Sequence, residues 1–153
     1  MEDYIKQIIS IAHDVYNEIG PGYNEVMYHR GLEVGLRNFN ISYQSEVVTP
    51  VYYKSHVIGH GRVDLIVNYS VIIELKAIAN LNNMDSIIQI KNYMKEHRID
   101  HGLIINFVQP NKTNGGGLNI KYVHFIKYNN EFKIYHYIND SFVDDNLNVI
   151  VIQ

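Results

Sequence analysis

At 153 residues, 46% hydrophobic and 19% charged, the chain has enough apolar mass for one globular domain with a real core. A formal charge of -3 and a pI near 6.2 argue against a general nucleic-acid coating protein and confine any DNA-binding surface to a local patch. The absence of cysteine excludes disulfides and thiolate metal sites and suits an intracellular setting, cytoplasmic or nuclear; no segment reads as a signal peptide or is apolar for long enough to cross a membrane.

Residues 3 to 19 read as an amphipathic helix, with Ile5, Ile8, Ile9, Ala12, Val15, Tyr16 and Ile19 at three- and four-residue spacing. Glu2 and Asp3 sit at the favourable end of its dipole, and Gly20-Pro21-Gly22 ends it. A second helix starts near Tyr23 with an apolar stripe of Tyr28, Leu32, Leu36 and Phe39. One turn back along that stripe lies Glu25. A carboxylate in line with a buried face is costly unless paired or metal-bound, although in a first turn it also favours the dipole and can stay exposed.

Arg62 to Val67 and Val71 to Ala77 are rich in β-branched and aliphatic residues and read as a hairpin closed by Asn68-Tyr69-Ser70. With that loop, Val67 pairs with Val71 and Asp64 falls opposite Glu74. Val63, Leu65, Val67, Val71, Ile73, Leu75 and Ala77 then form one apolar face, while Arg62, Asp64, Ile66, Ile72, Glu74 and Lys76 occupy the other. Opposed residues have Cβ atoms roughly 4.5–5.5 Å apart, where two like charges are destabilising unless neutralised. A divalent cation neutralises them, and Mg²⁺ is typically held by one or two carboxylates with water and substrate phosphate oxygens. A surface charge lattice with Arg62 and Lys76 does the same, and a one-residue slip would take Asp64 off the row of Glu74.

After Asn80-Leu81-Asn82-Asn83, residues 84 to 98 read as a helix whose apolar contacts are Ile87, Ile90 and Met94. Gln89 and Tyr93, four apart, share another face, nearly opposite a basic stripe of Lys91, Lys95 and Arg98 that reads as a solvated face. Pro110 to Asn119, with Gly115-Gly116-Gly117, reads as a flexible loop. Ile120 to Tyr128 and Phe132 to Ile138 read as strands joined at Asn129-Asn130. The apolar ending Asn148 to Ile152 calls for a partner, its own sheet or a second subunit, and suggests a homodimer. Among the eight histidines, His56/His60 and His97/His101 have zinc-ligand spacing, but neither pair lies within one helix and neither has a clear third ligand. His60 shares the expected face of Arg62 and Asp64.

Gly22-x-x-Glu25-x-x-Tyr28, Asp64, Glu74-Leu75-Lys76 and Gln89-x-x-x-Tyr93 together resemble the GxxExxY proteins of the PD-(D/E)XK nuclease superfamily. The resemblance runs from about Ile8 to Phe107, including the Tyr16-Asn17-Glu18 helix end and the strand Leu103 to Phe107. It implies an α/β, restriction-endonuclease-like fold, a central mixed sheet flanked by helices, here with extra C-terminal strands. The chain is accordingly expected to be a single nuclease-like domain over residues 1–153, with a family-like core at about 8–107 and an extension at about 108–153.

The resemblance also implies one acidic site that binds Mg²⁺ or Mn²⁺ and cleaves phosphodiester bonds, most often in DNA. Asp64 and Glu74 match its metal-binding acids, completed by the main-chain carbonyl of Leu75. Lys76 matches the lysine that orients attacking water and stabilises transition-state charge. Glu25 matches the helix acid that assists metal or water positioning, and Gln89 and Tyr93 match residues that bind water or the substrate backbone. These assignments agree with elementary chemistry, since metal polarises phosphate oxygen while an ammonium offsets developing charge. The rival expectation is a binding or structural protein that keeps the fold without the activity.

Overall fold

The computed structural model describes residues 1–80 and 83–153; of the connector read at 80–83, Leu81 and Asn82 lie outside them. Two helices come first, α1 (Glu2–Ile19) and α2 (Glu25–Asn38). A hairpin follows, β1 (Tyr43–Tyr53) and β2 (His56–Val67), then β3 (Val71–Lys76), α3 (Asn83–His97) and β4 (His101–Val108). The remaining strands are β5 (Gly117–Ile126), β6 (Glu131–Ile138), β7 (Ser141–Val143) and β8 (Val149–Ile150).

These strands form one mixed sheet in sequential order, β3 and β4 being parallel and all other neighbours antiparallel. The parallel pair requires a crossover, and α3 supplies it. Ile5, Ile8, Ile9, Ala12 and Val15 of α1, with Tyr28, Leu32 and Leu36 of α2, cover one face of the sheet over Leu65, Ile73, Leu75, Leu103, Ile105 and Phe107. On the opposite face Ile90, Tyr93 and Met94 of α3 pack on Val63, Ile66, Ile72, Ile104 and Val123. This is the α/β architecture of a restriction-endonuclease-like fold.

The loop at 68–70 forms as expected: Asn68 and Tyr69 take positive φ, Ser70 N–H donates to Val67 O at 3.0 Å, and Val67 pairs with Val71. One residue of the expected apolar face is misplaced. Val63 packs with Ile66 and Ile72 against α3 instead of with Leu65 and Val67. The cause is on the neighbouring strand, where Glu46 has a φ of 51° and the ladder skips from Ser45↔Leu65 to Val47↔Val63. A left-handed residue breaks the pleat, so alternation does not carry across it. Arg62 lies between Gly61 and Val63, which both face α3, and is thus turned away from that helix; its guanidinium stands 3.9 Å from Glu46.

Phe39 is also misplaced. It caps α2 and is 59% exposed, because Asn40 at φ 55° turns the chain before the apolar stripe reaches another turn. The last three residues read as loop before Ile120 belong to β5, which starts at Gly117. The C-terminal segment pairs within its own sheet: β8 lies on β7, Ile152 is buried, and Ile152 N–H donates to Glu2 Oε2 at 2.8 Å. No described helix is long and apolar enough to cross a membrane.

Candidate functional site

The acidic pair is set at the open end of the β2–β3 hairpin. Ladder pairing runs from Val67↔Val71 to Leu65↔Ile73 and would next place Asp64 opposite Glu74. There the Asp64 side chain replaces the strand: Leu75 N–H donates to Asp64 Oδ2 at 2.7 Å. Glu74 is 3% exposed, and its Oε1 is fully buried without a hydrogen-bond partner among the described residues.

Such burial is expensive for a carboxylate and disfavours its charged form. Burial, reinforced by the nearby Asp64 charge, pushes the Glu74 pKa up to about 8 against the pull of Lys76. Burial also raises the Asp64 carboxyl, opposed by the Leu75 N–H and by the positive potential of His29 and Lys76. The two acids titrate as a pair, and the direction for both is upward.

Glu25 comes from the first turn of α2 and is half-buried. Burial raises its pKa, and the Asp64 charge raises it further while Lys76 and His29 oppose. Glu25, Asp64, Glu74 and Lys76, from α2, β2 and β3, therefore share one electrostatic site. Lys76 is partly buried and makes no direct ion pair with these acids among the described residues, so its cation acts through the shared field.

Gln89 and Tyr93 are brought together, Gln89 Nε2 donating to Tyr93 Oη at 3.2 Å. They reach β2 rather than the carboxylates: Arg62 N–H donates to the same phenol oxygen at 3.0 Å, two residues before Asp64. The ring fits because position 61 is glycine; a Cβ there would lie 2.7 Å from Tyr93 Oη. Lys91 and Lys95 lie over the Phe132 ring at 5.4 and 5.6 Å, so those two cations of the basic stripe sit toward β6.

Three supporting residues escape the sequence pattern. His29 follows Glu25 by one helical turn, is buried, and lies 2.9 Å from Ser45 Oγ through Nε2. Its four-residue spacing from Glu25 was the available signal. Asn106 is buried opposite Lys76 and clamps Ile78, accepting from Ile78 N–H at 3.1 Å and donating to Ile78 O at 3.2 Å, which fixes the chain just past Lys76. Gln109 ties the start of α2 to the end of β4: its Oε1 accepts from Gly22 N–H at 2.7 Å, and its Nε2 donates to Tyr28 Oη at 3.2 Å and Phe107 O at 2.9 Å.

Tyr28 is fully buried, stacks on Phe107 at 4.5 Å, and donates to Gly20 O at 2.8 Å. Gly22, at φ 100°, allows the chain to turn back into α2. The Gly-x-x-Glu-x-x-Tyr spacing thus has a physical meaning here. The glycine and tyrosine anchor the helix start through Gln109, and Glu25 between them lies within reach of the Asp64 charge.

The donor set suits a hard divalent cation. Two carboxylates lie where the β2–β3 ladder ends, and one of their oxygens is buried without a partner among the described residues. Among the described residues, no group of three or more His, Asp and Glu side chains is placed to hold a metal ion. A hard cation on two carboxylates would need water or substrate oxygens to complete its shell.

A family model for the PD-(D/E)XK nuclease superfamily matches residues 2–116. The chain belongs to that superfamily. The match takes in α1 through β4, hence every element that carries an acid or lysine of the site. No curated protein matches. Among solved structures, the crystal structure of SSO0001 is similar at 24% identity and a TM-score of 0.44, over 62% of this chain and 48% of that one. This chain therefore spans under half the length of SSO0001.

Proposed function

We propose that this superfamily member is a metal-dependent nuclease of the GxxExxY type that hydrolyses phosphodiester bonds in DNA inside the cell. The observation that carries the reading is Glu74: a buried carboxylate, with one oxygen unpartnered among the described residues, beside Asp64 and two residues before Lys76, the end of its strand. A fold holds such a costly group when function requires it.

Asp64, Glu74 and the Leu75 carbonyl are the groups that would hold Mg²⁺ or Mn²⁺, which supplies Lewis-acid polarisation of the phosphate and acidification of water. Asp64 is preorganised by the Leu75 N–H, which fixes its rotamer before any ligand arrives. Lys76 offsets negative charge developing on the phosphate, and Glu25 accepts a hydrogen bond from water on the α2 side. Tyr93 and Gln89 hold β2 at Arg62 and offer an amide and a phenol to the substrate backbone. The domain in this reading is the whole of residues 1–153.

The test is incubation of the purified chain with single-stranded, duplex and branched DNA and with RNA, in Mg²⁺, Mn²⁺ or chelator. Metal-dependent cleavage of DNA is expected. Failure on every substrate with either metal would favour a non-catalytic protein that retains the fold.

A further inference from the structure

Beyond Thr49 and Gly61 the β1–β2 hairpin leaves the body of the protein. No residue from Pro50 to Arg62 is buried, so this two-stranded ribbon is solvated on both faces. It nevertheless carries Val51, Tyr52, Tyr53, Val57 and Ile58, of which Tyr53 is 59% and Ile58 66% exposed. An isolated ribbon is marginal in water, and one with this much exposed apolar surface points to a binding role.

Charge narrows the partner. In a chain of net charge -3, positions 47 to 63 contain Lys54, Arg62, His56 and His60 and no Asp or Glu; Arg62 at the base stands 3.9 Å from Glu46, which leaves Lys54 as the cation of the tip. The tip is closed by Lys54 and Ser55 at φ 47° and 65°, where Asn-Gly would be less strained, and the Lys54 ammonium lies 5.4 Å from the Tyr53 ring centroid. The turn thus holds a cation beside an exposed aromatic ring at a conformational cost. A second copy docked tip to tip is a poor partner, because the contact would oppose the two Lys54 ammoniums. A polyanion with flat apolar surfaces satisfies both the charge and the rings.

The ribbon is also continuous with the acidic site. β2 runs from the tip through Arg62 to Asp64, roughly 23 Å from Val57 at about 3.3 Å per residue. Its base and α3 bound a groove of about 480 Å³ lined by Val51, His60, Gly61, Gln89 and Tyr93, with the acid Asp85 also on the wall. A register shift between Val51 and Tyr52 re-aims the two tyrosines relative to the strand below them.

We propose that the β1–β2 ribbon grips nucleic acid by stacking Tyr52 and Tyr53, one on each face of β1, on unpaired bases a few nucleotides from the acidic site at Asp64 and Glu74. The substrate class is thus DNA with a single-stranded segment, and this rests on the nuclease reading above. Base–aromatic stacking of this kind is tolerant of sequence and sensitive to salt.

The test is fluorescence anisotropy with a labelled single-stranded oligonucleotide and its duplex, in chelator and again in Ca²⁺. A Tyr52→Ala/Tyr53→Ala double variant should bind the single strand about 10- to 100-fold more weakly, with a smaller loss on duplex. Tyr52→Phe/Tyr53→Phe should keep the affinity, and Lys54→Glu should lower it. Unchanged single-strand affinity in both the alanine and Lys54→Glu variants would overturn the proposal, as would a larger loss on duplex. A shift of the alanine variant from dimer to monomer in light scattering, with binding unchanged, would instead make the ribbon a self-association surface. Wild type that cleaves DNA while these variants bind normally removes only the ribbon's role; wild type that neither binds nor cleaves any nucleic acid removes the nuclease reading first.

Discussion

Leu75 N–H donates to Asp64 Oδ2 at 2.7 Å, so a side chain takes over where the β2–β3 backbone ladder ends. One carboxylate oxygen of Asp64 is thereby committed to holding the strands together. The neighbouring Glu74 has no such partner for Oε1 among the described residues.

That asymmetry gives a pH dependence. The Glu74 pKa is raised in the fold to about 8 from an ordinary value of 4.5, so the folded state binds a proton that the unfolded state has lost between those values. Its contribution to stability is fully present below pH 4.5 and is lost as pH rises through about 8. In chelator, the melting temperature of Glu74→Gln should exceed that of wild type at pH 8 and approach it at pH 5. Parallel melting curves for the two proteins across that range would show that Glu74 is not under this strain.

Cation binding should reverse the effect. Mg²⁺ or Mn²⁺ that binds the folded state should raise the wild-type melting temperature and release a proton at pH 7, measurable by calorimetry in buffers of different ionisation enthalpy. Glu74→Gln should lose most of both signals. Equal affinity in wild type and variant would place the cation elsewhere.

Lys76→Met should lower cleavage by about 100- to 1000-fold, the scale for removing one group that stabilises transition-state charge. Metal binding and folding should persist, because Lys76 makes no direct ion pair with the acids among the described residues. Near wild-type turnover would leave Lys76 as a charge balance only.

Gln109→Ala removes the link between Gly22, Tyr28 and the end of β4, and should cost about 1 kcal/mol of stability in denaturant unfolding. Because α2 carries Glu25, catalysis should fall by more than the fraction unfolded explains. A variant as active per folded molecule as wild type would detach this anchor from the site.

The register of the acidic hairpin was legible because two β-branched runs flank a short polar loop, which fixes which residues oppose each other. The Glu46 distortion was not, since nothing in Ser45-Glu46-Val47 announces a left-handed residue inside a strand, and Val63 changed face in consequence. β1 itself was unread: Pro50 interrupts it, and most of its outer half is exposed, so apolar alternation is lost there. Tyr28 and Glu25 stood out by helical spacing, whereas Gln109 acts across 87 residues and leaves no local pattern. Phe39 fitted the stripe in spacing, but a chain reversal at Asn40 removed it from the core.

The most direct measurement is single-turnover cleavage of labelled DNA by wild type and Glu74→Gln side by side, in Mg²⁺ and in chelator, with folding checked by circular dichroism. A metal-dependent nuclease centred on Asp64 and Glu74 predicts cleavage by wild type in Mg²⁺ alone and a loss of at least about 1000-fold in the folded variant. Equal rates in the two proteins, or undiminished cleavage in chelator, would contradict it.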